Sequence, residues 1–392
     1  MDILKISLIF LLLLFPIAEL GKFHLGLISF SINDLLMGSV VIAWIFKHKF
    51  SLQNVLLKEP MLVVFATFST SLLLNIGWLE LPDFFISLLY LIRLLLYASL
   101  YAIILSLDKK FIQKLKLFLI IPISLFLISG YIQFFLYQNL RNLYYLGWDE
   151  HLYRLFSTFL DPNFAGTFFV LTFIYLLYLV FSNLENRFLF ISLSFLSIAN
   201  FIAIFLTYSR SALIMLFVSL FTFLVLIRRK SLLVMVGVAI IIFLVISPKS
   251  FRTEGTNIFR IASSEARLDS ARVAIEIFSK NPIFGVGFNA YRFAQHRYGY
   301  LAGGDWRLTH SGAGTDNSFL FILATTGLVG FAAYIYLIYK IIRMAIKKNN
   351  FIAKVLIASL AGLLINSLFI NSLFFIYIMM WIWIMVAFTE SS

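Results

Sequence analysis

Long apolar segments recur along almost the whole chain, and they constrain its fold more than any other feature. Hydrophobic residues make up 62% of the 392 residues and charged residues only 12%. A transmembrane helix needs about 20 mostly apolar residues. The sequence therefore predicts an all-α polytopic membrane protein with about twelve spans: 3–20, 25–46, 61–79, 84–106, 113–138, 163–183, 187–207, 211–227, 231–247, 313–342, 352–370 and 372–389. The last two segments can also be interpreted as one interrupted span.

Basic residues between the spans predict the orientation, because cytoplasmic loops carry an excess of Lys and Arg. Basic clusters follow spans two, four, eight and ten: Lys47, Lys49 and Lys58; Lys109, Lys110, Lys114 and Lys116; Arg228, Arg229 and Lys230; Arg343, Lys347 and Lys348. These clusters share one side if the spans alternate, so we expect both termini in the cytoplasm. The polar segment 248–312 is then a large outer loop, between spans nine and ten of a single membrane domain, 1–392.

Arginine is concentrated on the predicted outer side. The inner side holds thirteen lysines and four arginines, whereas the outer side holds three lysines and eleven arginines. The large loop alone contains seven of them: Arg252, Arg260, Arg267, Arg272, Arg292, Arg297 and Arg307. A guanidinium group binds phosphate through two parallel hydrogen bonds, which an ammonium group cannot do. This bias indicates a phosphorylated substrate at the membrane surface, although local ion pairs and lipid phosphates would also explain it.

The composition excludes several other chemistries. The chain has no cysteine, so disulfides, a thiol nucleophile and thiolate metal ligands are impossible. Its five histidines show no metal-ligand spacing, and we expect neither a metal nor a cofactor. The net charge of +13 follows from the topology and comes with no nucleic-acid-binding motif. No internal repeat is visible, which disfavours a transporter built from duplicated halves.

Residues 264–280 of the outer loop predict an amphipathic helix that ends before Pro282. Its predicted apolar face contains Leu268, Ala271, Ile275 and Phe278, and its charged stripe contains Glu265, Asp269, Arg272 and Glu276. Arg272 has acidic neighbours at i−3 and i+4, so it is expected to form a surface ion pair. Arg267 lies nearly opposite the stripe, where it is either a substrate ligand or a snorkelling side chain.

Two glycines follow this helix in the segment Pro282-Ile283-Phe284-Gly285-Val286-Gly287-Phe288. Glycine permits a tight turn or a close approach of two backbones. The segment is a weak phosphate-loop candidate, because no strand precedes it and no Lys-Ser/Thr follows it. We therefore favour a structural turn.

Four motifs, in order along the chain, resemble those of the bacterial O-antigen ligase and O-antigen polymerase superfamily. Asp161-Pro162-Asn163 resembles the start of one helix in that family, and Thr207-Tyr208-Ser209-Arg210 resembles its short outer turn. Arg267 followed by the glycine segment 282–287 resembles the core of its outer loop. Asp316-Asn317, nine residues, then Gly327 and Gly330 resemble its His-Asn…Gly-x-x-Gly motif.

The resemblance implies a glycosyltransferase of the bacterial inner membrane that uses an undecaprenyl-pyrophosphate-linked glycan as donor. Because the outer face offers arginines and no carboxylate pair at metal-ligand spacing, we expect arginines to replace a metal. A polymerase transfers the glycan to another carrier-linked repeat unit, whereas a ligase transfers it to lipid A core. Asp316 stands where the ligases have histidine, which favours the polymerase. An O-antigen ligase or a protein O-oligosaccharyltransferase is the alternative, and a lipid-glycan flippase or transporter is an alternative of another class. Candidate partners are a chain-length regulator and a flippase in the same membrane.

The chemistry requires cations on the leaving pyrophosphate and a base for the acceptor hydroxyl. Arg210 and Arg267 are the leading pyrophosphate ligands, with Arg93 and Arg272 behind them. Asp316 is the candidate base, with His310 and Asp161 in reserve. Either aspartate could instead be a helix N-cap. Supporting roles are assigned to Asn317, Asn163, Ser209, Gly285 and Gly287.

Two further charges, Asp34 and Arg93, fall inside predicted spans. Ionisable residues at such depth usually have a function. Both are expected near the middle of their spans, where they could pair with each other. A structural ion pair that holds the bundle together is the alternative we favour slightly.

Overall fold

The computed structural model describes residues 2–25, 28–48, 55–146, 149–229, 256, 262–301, 306–307 and 314–392. These residues are mostly helical. The α-helices are α1 (Ile3–Leu14), α2 (Ile32–His48), α3 (Lys58–Leu74), α4 (Leu81–Leu105), α5 (Lys109–Phe118), α6 (Ile120–Leu136), α7 (Pro162–Ser182), α8 (Arg187–Leu206), α9 (Arg210–Leu226), α10 (Ala262–Lys280), α11 (Tyr291–Arg297), α12 (Ser318–Lys348), α13 (Phe351–Asn366) and α14 (Ile376–Ser391). The predicted ninth span, 231–247, lies outside the described residues.

Several helices are long and apolar enough to cross a membrane. Among the described residues there are six such segments: Ile3–Gly21, Leu81–Leu105, Lys109–Leu136, Pro162–Ser182, Arg187–Leu206 and Ser318–Lys348. Helices α9, α13 and α14 are also apolar but shorter. The chain is therefore an integral membrane protein, and the count of twelve spans stays a prediction.

The predicted second span does not begin as a helix. Strand β1 (Lys22–Leu25) pairs antiparallel with strand β2 (Ile28–Ser31), and α2 starts only after this hairpin. Ser31 and Asp34 cap the helix reciprocally: Asp34 N–H donates to Ser31 Oγ at 3.2 Å, and Ser31 N–H donates to Asp34 Oδ2 at 2.9 Å. The expectation that Asp34 lies near mid-span is wrong, because this capping places it in the first turn.

The helix ends that the sequence assigns to the cytoplasm lie close to one another. Lys5 contacts Asp108, and Lys47 contacts Asp2. At the C-terminus, Lys116 Nζ lies 2.6 Å from Ser392 Oγ. These contacts join α1, α2, α5 and α14 at one end of the bundle, as alternating spans require.

The last two predicted segments are two separate helices. Helix α13 begins directly after α12, and its end is joined to α14 by a loop that contains a 3-10 turn, Ser372–Phe374. Lys348, at the end of α12, donates a hydrogen bond to the Glu390 carbonyl near the end of α14. Helix α14 therefore returns to the level at which α13 started, so the two helices run in opposite directions.

The loop helix α10 buries a different face from the predicted one. Ala274 and Ile277 are fully buried against the protein, whereas Leu268 and Ile275 are 61% and 52% exposed. The prediction of an apolar face on Leu268 and Ile275 was wrong because α10 packs on α12 through the side that also carries Arg267 and Ser270. Hydrophobicity alone did not identify this side, since it combines polar and small residues.

Ion pairs and a cation–π contact fasten the predicted outer loop to the helical bundle. Arg307 Nη2 lies 2.7 Å from Glu80 Oε2 and 3.2 Å from Asp83 Oδ2, both at the start of α4. The Arg297 guanidinium lies 5.1 Å from the centre of the Trp78 ring. In a chain without cysteine, such contacts attach the loop to the start of α4 and to the segment before it.

Candidate active site in the outer cavity

A cavity of about 490 Å³ lies among the helix ends that the sequence predicts to be outer. Its wall is formed by the starts of α2 and α7, the first half of α4, the loop helices α10 and α11, and the segments before α12 and α14. The charged lining residues, among those described, are Glu19, Lys22, Asp34, Arg93, Asp149, Asp161, Arg267, Arg292, Arg307 and Asp316. Acidic and basic groups are thus equally numerous in this wall.

Arg267 and Asp316 face the same cavity although they lie far apart in the sequence. Ser270, one turn after Arg267 on α10, connects this helix to the segment that carries Asp316. Its Oγ lies 3.1 Å from Thr315 Oγ1 and accepts a hydrogen bond from Asp316 N–H at 3.2 Å. Within the described part of the chain, Arg267 has no hydrogen bond or ion pair. Its guanidinium group can therefore bind an anion in the cavity.

Burial is the main influence on the pKa of both Asp316 and Arg267. Displacement of water by surrounding protein raises the pKa of Asp316, and Asp161 and Asp149 act in the same direction, while Arg267 opposes them. Burial lowers the pKa of Arg267, and Arg210 adds repulsion, while Asp316 and Asp161 oppose the shift. The Asp316 side chain is still accessible from the cavity. A carboxylate with a raised pKa is a stronger base than an ordinary aspartate.

The residue that caps α12 is Asn317. Its Oδ1 accepts hydrogen bonds from Phe319 N–H at 2.9 Å and Leu320 N–H at 3.0 Å. The alternative that Asp316 serves as this cap is therefore wrong. Asn317 also donates from Nδ2 to Leu368 O at 3.1 Å, which ties the start of α12 to the loop after α13. Asp316 itself is left to face the cavity.

Asp161, in contrast, is the N-cap of α7. Its Oδ1 accepts hydrogen bonds from Asn163 N–H at 2.6 Å and Phe164 N–H at 3.3 Å. This confirms the capping alternative for Asp161. The residue also lines the cavity, so its charge acts on Asp316 even though one carboxylate oxygen serves the helix.

The motif around Arg210 packs directly against the start of α7. Ser209 caps α9 and donates from Oγ to Asn163 Oδ1 at 3.0 Å. Arg154, only 5% exposed, donates from Nε to Thr207 O at 2.9 Å, and its Nη2 lies 3.4 Å from Asn163 Oδ1. Asn163 and Ser209 thus join the two motifs, which supports the structural part of their predicted role.

Arg210 is the first residue of α9 and lies close enough to Arg267 to lower its pKa by repulsion. Of these two arginines, Arg267 is among the described residues that line the cavity and Arg210 is not. The two charges lie near each other, but of the two only Arg267 forms part of the described cavity wall. The two-arginine pyrophosphate site stays a prediction.

The two remaining predicted pyrophosphate ligands lie in different settings. Arg93 lines the cavity and pairs with Asp34 at 2.7 Å, which confirms the predicted ion pair. Arg272 is exposed and pairs with Asp269 at 3.0 Å, as its helical spacing predicted, and the structure does not bring it to the cavity. His310, the reserve base, lies outside the described residues, as do Arg252 and Arg260.

The glycine segment crosses α12 and forms backbone hydrogen bonds with it. Helix α12 is kinked at Gly327, whose φ of 66° and ψ of −167° interrupt the helical hydrogen bonds. The segment 282–287 supplies replacements: Val286 and Gly287 donate to α12 carbonyls at 3.1 and 2.9 Å, and Leu328 and Val329 donate back at 2.8 and 3.2 Å. This confirms the structural-turn interpretation of Gly285 and Gly287.

Sequence analysis did not single out Arg292, Arg307 or Asn371, which also line the cavity. Arg292 and Arg307 belonged only to the general excess of loop arginines. Asn371 lies in the loop between α13 and α14, and its Oδ1 is buried without a hydrogen-bond partner among the described residues. The position of Asn371 in a polar interruption between two apolar segments is the only sequence signal that could have identified it.

Comparison with known proteins supports the family resemblance. The family model described as O-antigen ligase matches residues 193–335. The matched region contains Arg210, Arg267, the glycine segment and Asp316, but it begins after Asp161 and Arg93. No curated protein matches the chain. Members of the matched family are membrane glycosyltransferase-like enzymes that act on lipid-linked oligosaccharides.

Proposed function

We propose that this chain, a member of the O-antigen ligase and polymerase superfamily, is a polysaccharide polymerase. It would transfer a growing glycan from undecaprenyl pyrophosphate to a carrier-linked repeat unit, on the outer face of the bacterial inner membrane. The observation that carries the proposal is the placement of Arg267 and Asp316 in one cavity, linked through Ser270.

The reaction assigns a different task to each of these charges. The bond between the donor sugar and the pyrophosphate oxygen breaks, and the electron pair stays on the pyrophosphate. Arg267 would stabilise that growing negative charge, with Arg210 beside it. Asp316 would accept the proton of the acceptor hydroxyl as this oxygen bonds to the donor sugar. Its raised pKa suits this step.

The proposed topology follows the sequence prediction. Twelve spans with both termini in the cytoplasm place the segment 248–312 and the cavity on the outer side, where a lipid carrier can present its headgroup. Every segment that lines the cavity belongs to that predicted side. A flippase and a chain-length regulator in the same membrane would supply the repeat unit and limit the polymer.

A ligase or protein O-oligosaccharyltransferase is the second candidate, because the matched family model is described as O-antigen ligase. Asp316 replaces the ligase histidine, and this substitution is our reason for preferring the polymerase. A flippase would not need the linked base and guanidinium.

The two enzyme classes differ in the polysaccharide that a deletion strain makes. A strain without a polymerase should show a single repeat unit on its core in a gel, whereas a strain without a ligase should show free polymer. Complementation with the wild-type gene should restore the full ladder. The Arg267→Lys variant should restore little, because a point charge does not reproduce the guanidinium fork.

The Arg272→Lys variant is the matched control, since Arg272 lies on the same helix but outside the cavity. It should restore the full ladder. Full-length polymer from Arg267→Ala, at a normal protein level, would refute the proposal.

A further inference from the structure

The segment 151–160, which leads into α7, has a strained backbone. Four of its residues have a positive φ although none of them is glycine: His151 (48°), Tyr153 (56°), Ser157 (50°) and Leu160 (56°). A Cβ raises the free energy of this left-handed conformation, so such residues persist only where surrounding contacts enforce it. Contacts from outside the segment must therefore hold it in this shape.

Gln133, on α6 and only 8% exposed, supplies such contacts through both ends of its amide group. Its Oε1 accepts hydrogen bonds from Phe156 N–H at 2.8 Å and Ser157 N–H at 3.1 Å. Its Nε2 donates to Arg154 O at 3.2 Å and to Tyr137 O, just after α6, at 2.9 Å. An amide side chain has two N–H donors and an oxygen with two lone pairs. Gln133 thus uses its full hydrogen-bonding capacity here.

The face of α6 that carries Gln133 packs closely against the same segment. Phe126, Gly130 and Gln133 share this face at i, i+4 and i+7. Phe126 O accepts a hydrogen bond from Ser157 Oγ at 2.8 Å. A Cβ at Gly130 would lie 3.1 Å from Leu155 Cδ2, so the missing side chain lets the segment approach the helix. Gln133 is the polar member of this contact.

The segment in turn contacts the residues just before α9. Leu155 N–H donates to Leu206 O at 2.9 Å, and Arg154 Nε donates to Thr207 O at 2.9 Å. Arg210, the first residue of α9, follows three positions later. At its other end the segment runs into the N-cap residue of α7, which lines the cavity. One held segment therefore connects α6 to both motifs at the cavity.

We propose that Gln133 is a positioning residue for the transfer reaction, an inference that rests on the proposed function. It holds the segment 151–160 and thereby fixes the positions of Asp161 and Arg210. Gln133 is not among the described residues that line the cavity, so it acts through this segment. Arg267 lies on α10, outside this contact, and still binds the donor when Gln133 is replaced. Loss of Gln133 should therefore slow the transfer step more than it weakens binding.

Steady-state kinetics separate positioning from general stability. Purified full-length variants are given a lipid-pyrophosphate-linked repeat unit, and initial rates are normalised to folded protein. Gln133→Met keeps the length of the side chain and removes all four hydrogen bonds. Its kcat should fall at least about 10-fold, because small displacements near a reacting centre cost this much or more. KM should change by a smaller factor; a smaller fall in kcat, or a change mainly in KM, would overturn the proposal.

Tyr131→Phe is the matched control on the same helix. Tyr131 OH donates to Ala199 O at 2.7 Å and so joins α6 to α8 by a contact that does not involve the segment 151–160. This variant should lose stability and keep its kcat; an equal loss of kcat would reduce Gln133 to a structural role. If Gln133→Met fails to fold, Gln133→Glu replaces it, because a carboxylate keeps the acceptor contacts and loses both donors. Its kcat should also fall at least about 10-fold.

Hydrogen exchange follows the same contacts without turnover. In Gln133→Met, backbone amides at 154–158 and at 207–210 should exchange on the order of 10-fold faster than in the wild type. Tyr131→Phe should leave both regions unchanged. Faster exchange at 154–158 alone would overturn the proposal, since Arg210 would then keep its position without Gln133.

The two measurements distinguish this inference from the proposed function. A wild type that does not extend the repeat unit would refute the proposed function, and exchange at 207–210 would still decide whether Gln133 positions Arg210. An active wild type whose kcat and exchange both survive Gln133→Met would overturn only the role of Gln133.

Discussion

Replacing Gly285 by alanine is expected to be among the most damaging single-methyl changes in this chain. Gly285 has a φ of 67°, and a Cβ at this position would lie 2.3 Å from Thr325 C and 2.5 Å from Thr325 O and Thr326 N. These are backbone atoms of α12, at the turn before its kink, so no rotamer change can relieve the contact. The crossing between the 282–287 segment and α12 would have to open.

The expected cost follows from the hydrogen bonds in this crossing. Four backbone hydrogen bonds join the two segments, at 2.8 to 3.2 Å. At about 1 kcal/mol each, their loss costs about 4 kcal/mol. The left-handed backbone adds about 1 kcal/mol for a residue with a Cβ. Ser71 Oγ lies 2.7 Å from Phe284 O and 2.8 Å from Thr325 O, so its contacts would weaken as well.

Two matched glycines separate these contributions. Gly299 has a φ of 81°, and a Cβ added there would meet nothing within 4 Å, so Gly299→Ala reports the cost of the backbone conformation alone. Gly38 also has open space, without a positive φ, and because it lies inside α2 its replacement by alanine should stabilise the protein slightly, by about 0.5 to 1 kcal/mol. Unfolding of each variant in detergent can be followed by the fluorescence of the chain's six tryptophans.

We expect the order Gly38→Ala, Gly299→Ala, Gly285→Ala for increasing loss of unfolding free energy, with a gap of about 4 kcal/mol between the last two. Polymer synthesis should be lost with Gly285→Ala, because the same segment leads into α11 and the cavity wall. Equal stability of Gly285→Ala and Gly299→Ala would refute the crossing as a structural element.

Three further substitutions test the cavity. Arg267→Gln removes the charge that lowers the pKa of Asp316, so the Asp316 carboxyl should titrate at higher pH in an isotope-labelled NMR titration, which needs no turnover; an unchanged titration would contradict the electrostatic coupling of the two residues. Ser270→Ala removes two hydrogen bonds worth about 2 kcal/mol, and turnover should fall with only a small change in protein level, as measured by initial rates and immunoblot. Asp34→Asn uncouples Arg93 and should destabilise the fold by about 3 kcal/mol in detergent unfolding; no loss would make this ion pair dispensable.

Local sequence patterns correctly predicted those features whose contacts join residues close together in the sequence. The helix at 264–280 was predicted from its periodicity and its Asn-Pro stop, and α10 spans Ala262–Lys280. The ion pair of Arg272 with Asp269 followed from i, i+3 spacing. The buried face of α10 was not predictable in this way, because α12 decides which side is covered. Ser270 and Arg267 lie on that side although neither is apolar.

Long-range contacts account for most of what the sequence did not predict. Arg307 pairs with Glu80 across 227 positions, and no local pattern connects them. The hairpin of β1 and β2 lies inside an apolar run that also satisfies the rule for a span, so hydrophobicity alone could not distinguish the two. The family motifs helped because their spacing reflects contacts between segments, such as Gly285 against the backbone before Gly327.

Asp316→Asn is the decisive test of the proposed base, because the structure assigns helix capping to the next residue. Asn317 accepts both capping hydrogen bonds of α12, so Asp316→Asn and Asp316→Ala should leave the unfolding free energy almost unchanged. Both should abolish polymer synthesis, since neither amide nor methyl can accept the acceptor proton.

The neighbouring variant gives the opposite pattern. Asn317→Ala should cost about 2 kcal/mol of stability, because it loses both the cap and the hydrogen bond from Nδ2 to Leu368 O. Asn317→Asp should keep the cap and lose only that bond, and either variant should keep measurable turnover in proportion to folded protein. Initial rates normalised to folded protein therefore separate the two roles at adjacent positions. An active Asp316→Asn variant would transfer the base to Asp161 or His310; of these, Asp161 already has one oxygen engaged by the start of α7, so the second oxygen would have to serve as the base.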